Sequence, residues 1–509
     1  MLALLLAFAA AFTVRSLYGV PLGGGFVLLD FAAFGGLFGA ILQAGVQRLL
    51  KRPAPRKWLV FTTLASVLGA AHLVFAPTAP AVLLLVVDCL RADRLSEERM
   101  PETWALAQSS VRFSHAHAQS SWTRSAMPSL LSGRFPAEHG SYRTRPTPDR
   151  IREDVPLLAE LFSQQGWLTA AFVEQAQLDG AFGYARGFGR YGFRDGKAAR
   201  LNVRFLQWNW VFRTVPRFVL LHYIDAHGPY TPKPTPKHLP PSSLATRPSA
   251  TWRATINGIR AGRIKPTTQD FAHLAGLYDG EVSHLDRRLG ELYKALEADG
   301  TLDASWLVLT GDHGERFGEH GNVEHMGNPD EAVLAVPLLL RPPGGGAGRW
   351  VGEVVQHVDV APTLLLAAGL VPDGRMAGRD LRAVQDGDVG MPSFAEEWSG
   401  RTHRVSVREG GWKLVRSPAG KLYDLAHEPS ESRDVSAEHP EVVLRLESLI
   451  AAYFAGAADG SLADVNWADV PLARWTQGAP VVGDALPGAE TMKALQKLGY
   501  LDDGGDGDE

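Results

Sequence analysis

Two apolar runs, far apart in the chain, each lead to an aspartate. Residues 82–87 end at Asp88, and residues 306–310 are followed by a glycine, Asp312 and His313. Short aliphatic and β-branched runs bounded by glycine or polar residues are typical of buried strands in a parallel sheet. Ligands of such sheets bind beyond the carboxyl ends of the strands. We therefore expect Asp88, Asp312 and His313 to meet at one sheet edge, as carboxylate and imidazole groups do around a divalent metal ion.

The long stretch that contains both runs alternates between strand and helix patterns. Over residues 81–380, strand-like runs such as 168–173 and 217–222 alternate with helical patterns such as 155–162 and 282–296. Strict alternation of this kind favours helices packed on both faces of a sheet. The sequence therefore predicts an α/β sandwich with a mostly parallel central sheet.

The pattern changes towards the C-terminus. Three short strand-like runs, at 404–408, 412–416 and 421–425, lie close together, and a helical pattern follows at 440–454. Short runs separated by turn residues indicate antiparallel strands. We expect a small antiparallel α+β subdomain packed on the main sheet.

The N-terminal residues differ in composition from the rest. Residues 58–75 are uncharged and residues 25–46 carry only Asp30, so each is close to the ~20 apolar residues of a membrane-spanning helix. Residues 1–14 are also apolar but lack a basic leader, which favours three spans over a cleaved signal peptide plus two. A buried hairpin in a soluble enzyme is the alternative, and the clustering of long apolar segments favours the membrane.

The loop between the second and third segments is basic. Its cations are Arg48, Lys51, Arg52, Arg56 and Lys57, with no acid among them. The positive-inside rule assigns such a loop to the cytoplasm. Everything from about residue 80 onward is then predicted to be extracytoplasmic, which in a bacterial envelope means periplasmic.

These patterns divide the chain into four parts. We predict a membrane region at 1–79, a catalytic domain at 80–385, a C-terminal subdomain at 386–501 and an acidic disordered tail at 502–509. The formal net charge of −4 gives no basic field for nucleic acid, so the expected partners are the lipid bilayer and a small anionic substrate. A single cysteine excludes an internal disulfide framework and a cysteine-rich zinc site.

Several motifs together carry a family resemblance. In chain order they are VDCLRAD (87–93), LLSGR (130–134), HYIDAHGPY (222–230), TGDHGE (310–315), GEHG (318–321), HVDVAPTLL (357–365) and KLYDL (421–425). This ordered set resembles the sulfatase family, within the alkaline phosphatase superfamily. The resemblance implies an ester hydrolase that uses a divalent metal ion.

One departure from the family pattern changes the expected chemistry. The family places a cysteine, which is oxidised to formylglycine, ten residues before the glycine that matches Gly133, and this chain has Thr123 there. The proline and arginine of that motif are replaced by Ser125 and Met127. Formylglycine cannot form at a threonine. The resemblance extends to the phosphoethanolamine and phosphoglycerol transferases of bacterial envelopes, in which a threonine attacks phosphorus directly.

The candidate site residues follow from these motifs. Thr123 is the predicted nucleophile and also a metal ligand, because a coordinated cation would stabilise its alkoxide. His227 and His325 are predicted to contact the ester, protonate the leaving group or bind a second metal ion. The complete predicted metal set is Asp88, Thr123, Asp312 and His313. Its oxygen and nitrogen donors suit Ca²⁺, Mn²⁺, Mg²⁺ or Zn²⁺, and the number of ions stays open.

Other interpretations of the same residues remain. The chain could be a transferase that moves a phosphoryl-linked head group onto envelope lipid or glycan, or a catalytically inactive binder of anionic glycans. Thr123 could simply be the N-cap of a helix, a position that threonine favours. His222, His320 and His357 are expected to be structural or surface groups, and Cys89 is expected to pack at the end of a strand.

Overall fold

The computed structural model describes residues 77–142, 149–194, 196–244, 252–388, 390–399, 402–417, 420–457 and 491–493. The three predicted membrane spans and the predicted acidic tail lie outside these ranges, so those predictions stand untested. Among the described residues, no helix combines the length and apolar content that crossing a membrane requires.

Within the described residues the chain forms fourteen strands and ten helices. The strands are β1 Ala81–Val87, β2 Val111–His117, β3 Leu168–Val173, β4 Arg190–Phe193, β5 Arg217–Tyr223, β6 Ser305–Gly311, β7 Arg316–Phe317, β8 Val323–Glu324, β9 Ala335–Arg341, β10 Arg349–Gln356, β11 Ser393–Ser399, β12 Thr402–Glu409, β13 Trp412–Arg416 and β14 Lys421–Asp424. The helices are α1 Pro101–Ala107, α2 Thr123–Ser132, α3 Pro136–His139, α4 Leu158–Gln164, α5 Ala198–Phe212, α6 Trp252–Arg260, α7 Thr268–Ala298, α8 Glu331–Leu334, α9 Val360–Ala367 and α10 Pro440–Ala457.

The predicted mostly parallel sheet is confirmed. Eight strands form it in the order β10-β2-β9-β6-β1-β5-β3-β4. Strand β1 lies near the centre and pairs in parallel with β5 and β6, whereas β9 is antiparallel to both of its neighbours. Every residue of β1 is buried, which explains why its sequence is a continuous apolar run and not an alternating one.

Helices cover both faces of this sheet. Successive side chains of a strand point to opposite faces. Leu84 therefore packs in one core with side chains from α2, α4 and α9, and Leu85 packs in a second core with side chains from α5 and α7. This layering is the sandwich that the alternating pattern predicts.

Helix α4 begins later than its sequence pattern predicts. The apolar pattern suggests residues 155–162, and the helix spans Leu158–Gln164. Pro156 disfavours helical backbone at the residue before it. The first turn instead forms after Leu157, whose N–H donates to the Glu160 carboxylate at 2.9 Å.

The C-terminal subdomain is a four-stranded antiparallel sheet, in the order β11-β12-β13-β14, with α10 packed on it. Three of the four strands and the helix match the sequence prediction. Strand β11 was not predicted, because its sequence SFAEEWS carries two adjacent glutamates in place of a clear apolar alternation.

A buried lysine connects this subdomain to the main domain. Lys413 of β13 is 1% exposed and its Nζ lies 2.9 Å from Glu331 Oε1 and 2.8 Å from Glu431 Oε1. Arg408 of β12 also reaches Glu331, at 2.7 Å. Burial opposes the charged form, yet the two glutamates raise the pKa of Lys413 to about 12. The lysine is therefore held as an ammonium ion between main-domain and subdomain carboxylates, which fixes the second sheet against the first.

Candidate active site

The carboxyl ends of three parallel strands bring the predicted residues together. Val87, the last residue of β1, is in register with Tyr223 of β5 and Gly311 of β6. Asp88 therefore follows β1 directly beside Asp312, which follows β6. The Asp312 N–H donates to the Val87 carbonyl at 3.2 Å, which fixes the two acids on adjacent strand ends.

Thr123 is the first residue of α2, and Trp122 is the N-cap. The hydroxyl of Thr123 does not cap its own helix; it lies 3.4 Å from His313 Nε2 and is 1% exposed. The N-cap interpretation of this residue is therefore wrong. The structure places the predicted nucleophile beside the predicted metal ligands.

A proline inside α2 helps to hold the start of this helix. Pro128 has no N–H, so the carbonyl of Arg124 four residues earlier loses its usual helical donor. Two hydroxyl groups replace that donor: Tyr184 donates to the Arg124 carbonyl at 2.8 Å and Ser141 at 3.1 Å. These bonds fix the first turn, which carries Thr123, to neighbouring elements.

His313 lies at coordination-site distances from the other three predicted metal ligands. His313 Nε2 lies 3.4 Å from Thr123 Oγ1 and 3.6 Å from both Asp88 Oδ1 and Asp312 Oδ2. Ligand atoms held at about 2.0–2.2 Å from one ion are roughly 3–3.6 Å apart from each other. Asp312 Oδ2 is buried and has no hydrogen-bond partner among the described residues. A buried carboxylate oxygen without a donor fits an ion-binding position, so these residues fit a divalent metal.

Electrostatics in this group favour a cation. Burial disfavours ionised Asp312, but His313 and His222 hold the pKa of that carboxyl below its ordinary value. Burial likewise opposes charge on His313, yet Asp312 and Asp88 raise the pKa of its imidazole. The negative charge of the two carboxylates therefore favours a proton on His313. The same negative charge would stabilise a bound divalent cation.

Two neighbours of this group were not predicted as functional. Gln175 follows β3 and donates to Asp88 Oδ2 at 2.6 Å, which orients that carboxylate. His222 of β5, expected to be structural, is fully buried with its Nε2 3.7 Å from Asp312 Oδ2. The position of Gln175 at the carboxyl end of a strand is a signal that could have identified it. His222 lies inside an apolar strand, and the apolar pattern of that strand predicts only that the residue is buried.

His227 and His325 lie beside the predicted metal group. Their ring centroids are 5.2 Å apart, and the His325 centroid is 4.5 Å from that of His313. Cys89 joins them: its Sγ is 3.4 Å from His325 Nδ1 and 3.2 Å from Asp88 Oδ1. Burial, followed by the neighbouring His313 and His227, lowers the pKa of His325. The structure thus gathers all six predicted site residues, and Cys89 lies among them and not in an inert strand end.

A carboxylate from the C-terminal subdomain supports the loop that carries Thr123. Glu397 of β11 is fully buried and accepts from Ser121 Oγ at 2.5 Å and Ser120 Oγ at 3.3 Å. Its other oxygen accepts from the Gly327 N–H at 2.9 Å. One side chain therefore joins the loop before α2 to the loop that carries His325.

We expect Glu397→Gln to lower kcat by about 10–100-fold with little change in KM, because small displacements of reacting groups cost this much. The amide would present a donor to one of the N–H or O–H groups that now donate to the carboxylate. Glu396→Gln is the matched control: Glu396 is also buried, but it accepts from Ala137 N and Tyr453 Oη, away from the nucleophile loop. Thermal unfolding and kcat measured on both variants separate the roles. Equal loss of kcat in the two variants would assign Glu397 a purely structural role.

Comparison with known proteins identifies the family. The family model described as Sulfatase matches residues 80–370. Among curated proteins, Arylsulfatase K of Mus musculus is 28% identical over 200 residues, which cover 36% of this chain and 36% of that protein. The Extracellular sulfatase SULF-1 homolog of Drosophila melanogaster is 29% identical over 228 residues, which cover 40% of this chain and 20% of that protein. The matches thus span about a third or less of these relatives' own lengths.

Solved structures share the fold over most of the described chain. The phosphonate monoester hydrolase SpPMH from Silicibacter pomeroyi superposes with a TM-score of 0.63 at 22% identity, covering 75% of this chain and 97% of that one. The phosphonate monoester hydrolase of Agrobacterium radiobacter gives a TM-score of 0.63 at 22% identity, with coverage of 74% and 96%. At this identity the likeness shows a common fold.

Proposed function

Because this chain belongs to the sulfatase family, we propose that it hydrolyses a phosphate, phosphonate or sulfate ester with a divalent metal ion and Thr123 as the nucleophile. One observation carries the proposal. The hydroxyl of Thr123 lies 3.4 Å from His313 Nε2, and that nitrogen lies 3.6 Å from both Asp88 Oδ1 and Asp312 Oδ2. A hydroxyl buried with two carboxylates and an imidazole fits nucleophilic attack better than a structural role.

The residues of this chain have distinct tasks in the proposed reaction. A bound divalent ion would supply Lewis-acid stabilisation of the Thr123 alkoxide and of the ester oxygens. The N-terminus of a helix favours anions, so the start of α2, where Thr123 lies, can bind the anionic oxygens of the ester. Thr123 loses its proton to solvent, and its Oγ1 forms a bond to phosphorus as the bond from phosphorus to the leaving oxygen breaks. His227 protonates that oxygen, while His325, whose lowered pKa keeps its ring uncharged, contacts the ester. Water then attacks phosphorus and breaks the bond to Oγ1, which takes up a proton from that water, and the product is released.

The nucleophile favours phosphorus esters. A threonine cannot follow the formylglycine route, whereas attack by a hydroxyl on phosphorus needs only its deprotonation. Sulfate esters stay within the proposal because the curated relatives carry the name sulfatase. The solved neighbours named as phosphonate monoester hydrolases make the phosphonate ester a natural first substrate to test.

A rate panel tests the proposal. Full-length protein in detergent, with Mn²⁺, Zn²⁺ or Ca²⁺ and a chelator control, is assayed on aryl sulfate, phosphate monoester, phosphodiester and phosphonate monoester. We expect metal-dependent turnover of at least one phosphorus ester. Turnover of aryl sulfate alone would overturn the preference for phosphorus, and turnover unaffected by the chelator would overturn the metal requirement.

A transferase is the second candidate, favoured by the combination of Thr123 with a predicted membrane region. We also propose that the catalytic domain lies outside the cytoplasm, on the basis of the basic loop at residues 48–57. A transferase would pass the phosphoryl-linked group to an alcohol on lipid or glycan and not to water. Turnover that appears only when a lipid or glycan acceptor is added supports the transferase, and silence with every substrate and acceptor supports the inactive glycan binder.

A further inference from the structure

The chain enters the main sheet at the edge opposite the candidate site. Strand β1 begins there and Asp88 follows its last residue, so seven residues of strand, or about 23 Å, separate that edge from the site. Hydrogen bonds fix the entering chain: the Ala79 N–H donates to the Arg213 carbonyl at 2.8 Å, and Thr78 Oγ1 donates to the Asp299 carbonyl at 2.9 Å. We call this edge, formed by the first residues of the parallel strands, the amino edge.

Very little chain lies between the amino edge and the predicted membrane span at residues 58–75. Four residue steps join Phe75 to Ala79. An extended chain covers at most about 3.6 Å per residue, so the two residues lie within roughly 14 Å of each other. The polar layer on each side of the hydrocarbon core of a bilayer is itself about 5–8 Å deep. A domain attached in this way has its amino edge at or next to the lipid head groups.

Two exposed tryptophans lie at the amino edge, on either side of the entering chain. Trp210 and Trp350 are the exposed tryptophans among the described residues, at 51% and 45%. Trp210 is in the last turn of α5, where its carbonyl accepts from the Arg213 side chain at 3.3 Å. Trp350 is the second residue of β10, which has the direction of β1 and forms the outer strand on the other side of the sheet. Exposed tryptophan is typical of protein surfaces that meet the polar layer of a bilayer.

Trp350 belongs to a small group of aromatic and cationic side chains. Its ring centroid lies 5.8 Å from that of Trp104, and the Arg112 guanidinium lies 4.3 Å from the Trp350 centroid and 5.4 Å from the Trp104 centroid. These contacts hold the exposed ring in place without burying it. Tryptophan combined with basic side chains is the composition that binds at a bilayer surface, where rings lie among the head groups and cations meet lipid phosphates.

We propose that the amino edge rests on the bilayer, with Trp210 and Trp350 among the lipid head groups, and that the candidate site faces away from the membrane. The inference rests on the membrane region and the extracytoplasmic location in the proposed function. It does not depend on which ester is cleaved.

This orientation limits the substrate. The site that contains Thr123 lies about 23 Å above the amino edge, beyond the roughly 5–8 Å depth of the head-group layer. An ester in a lipid head group of the same bilayer therefore does not reach Thr123. The substrate is a soluble ester, or an ester on a chain long enough to extend from the membrane. The orientation favours hydrolysis, or transfer to such an extended acceptor, over transfer onto a lipid head group.

Helix α7 offers two positions that report the orientation. Its C-terminal end lies at the amino edge beside the entering chain, and its first turns pack with Val323, two residues before His325. Its 31 residues span about 46 Å. Asp303, whose side chain is 62% exposed, follows the helix, and Lys265, which is also exposed, precedes it.

Energy transfer to the lipid surface tests the orientation without relying on turnover. Full-length protein with a fluorescent donor on Asp303→Cys or Lys265→Cys is reconstituted into phosphatidylcholine–phosphatidylglycerol vesicles that carry an acceptor on the head groups. Cys89 is fully buried, so the unmodified protein should take up no label. We expect transfer to be at least about threefold more efficient from residue 303 than from residue 265, because the length of α7 lies between them. Equal efficiency, or higher efficiency from residue 265, would overturn the proposal.

Quenching by lipids brominated near the head group tests the contact of the tryptophans. Trp210→Phe and Trp350→Phe should each lower the quenched part of the emission. Trp412→Phe, in β13 of the C-terminal subdomain, is the matched control and should leave the quenched part unchanged. No change in either of the first two variants would overturn the proposal and assign this edge to another partner, such as a glycan chain or a second copy. Missing ester turnover in protein with the expected orientation would contradict the proposed reaction and leave the orientation standing.

Discussion

Thr123→Ala is expected to lower ester turnover by about a thousandfold or more, because removal of a nucleophile eliminates the covalent route and leaves only binding and charge stabilisation. The hydroxyl lies 3.4 Å from His313 Nε2, among the predicted metal ligands. Steady-state rates on the best substrate of the panel measure the effect. Retention of bound metal in the variant, measured in parallel, shows that the loss is chemical and not a loss of the ion.

Two further variants make this result specific. Ser125 is two residues away, in the same helix turn and fully buried, and Ser125→Ala is expected to keep turnover within about threefold of the unmodified protein. Thr123→Ser keeps a hydroxyl at the same position and should retain most of the turnover. Rapid quenching during turnover of a phosphorus ester should trap one phosphoryl group on the peptide that carries Thr123. A phosphoryl group on Ser121 or Ser125, or full activity in Thr123→Ala, would contradict the assignment.

The main sheet, and the site at its edge, could be predicted because the residues that indicate them are neighbours in the sequence. Strand β1 is a continuous apolar run, and an acid that follows such a run must lie at the carboxyl end of a buried strand. The parallel arrangement then places Asp88 beside Asp312 without any further information. Thr123 was located by its spacing from Gly133, and the structure places it at the first residue of α2.

The parts that were missed depend on contacts between distant segments. Glu397 supports the nucleophile loop from the second sheet, yet its strand contains two adjacent glutamates and gives no sign of which one contacts that loop. His222 is an imidazole within an apolar strand, and only the register with β1 brings it towards Asp312. Cys89 was expected only to pack at the end of a strand. Its contact with His325 joins residues that are 236 positions apart in the sequence, so no local pattern indicates it.

Asp312→Asn is expected to abolish metal-dependent turnover and at the same time to destabilise the metal-free protein. Asp312 Oδ1 accepts from the N–H groups of Cys89 and His313 at 3.1 and 2.8 Å, and an asparagine carbonyl can keep both bonds. The substitution therefore changes mainly Oδ2, the oxygen without a donor, and removes one buried negative charge. Because His313 and His222 lower the pKa of this carboxyl, its ionised form stabilises the fold, and its removal should lower the free energy of unfolding of the chelated protein by about 3–5 kcal/mol.

The stabilisation that the metal ion gives should be lost in this variant as well. A ligand present at 100 times its Kd stabilises the folded state by about 2.7 kcal/mol, so the unmodified protein should melt at a higher temperature with Mn²⁺ or Zn²⁺ than with chelator. Asp312→Asn should lose most of that rise, because an amide is a poor replacement for an ionised ligand. Asp303→Asn, at a surface ion pair with Arg341 whose acid is 62% exposed, should keep the full rise and change stability by less than about 1 kcal/mol. If Asp312→Asn kept the metal-induced rise in melting temperature but lost turnover, Asp312 would not be a metal ligand. Its carboxylate would then act on the substrate directly.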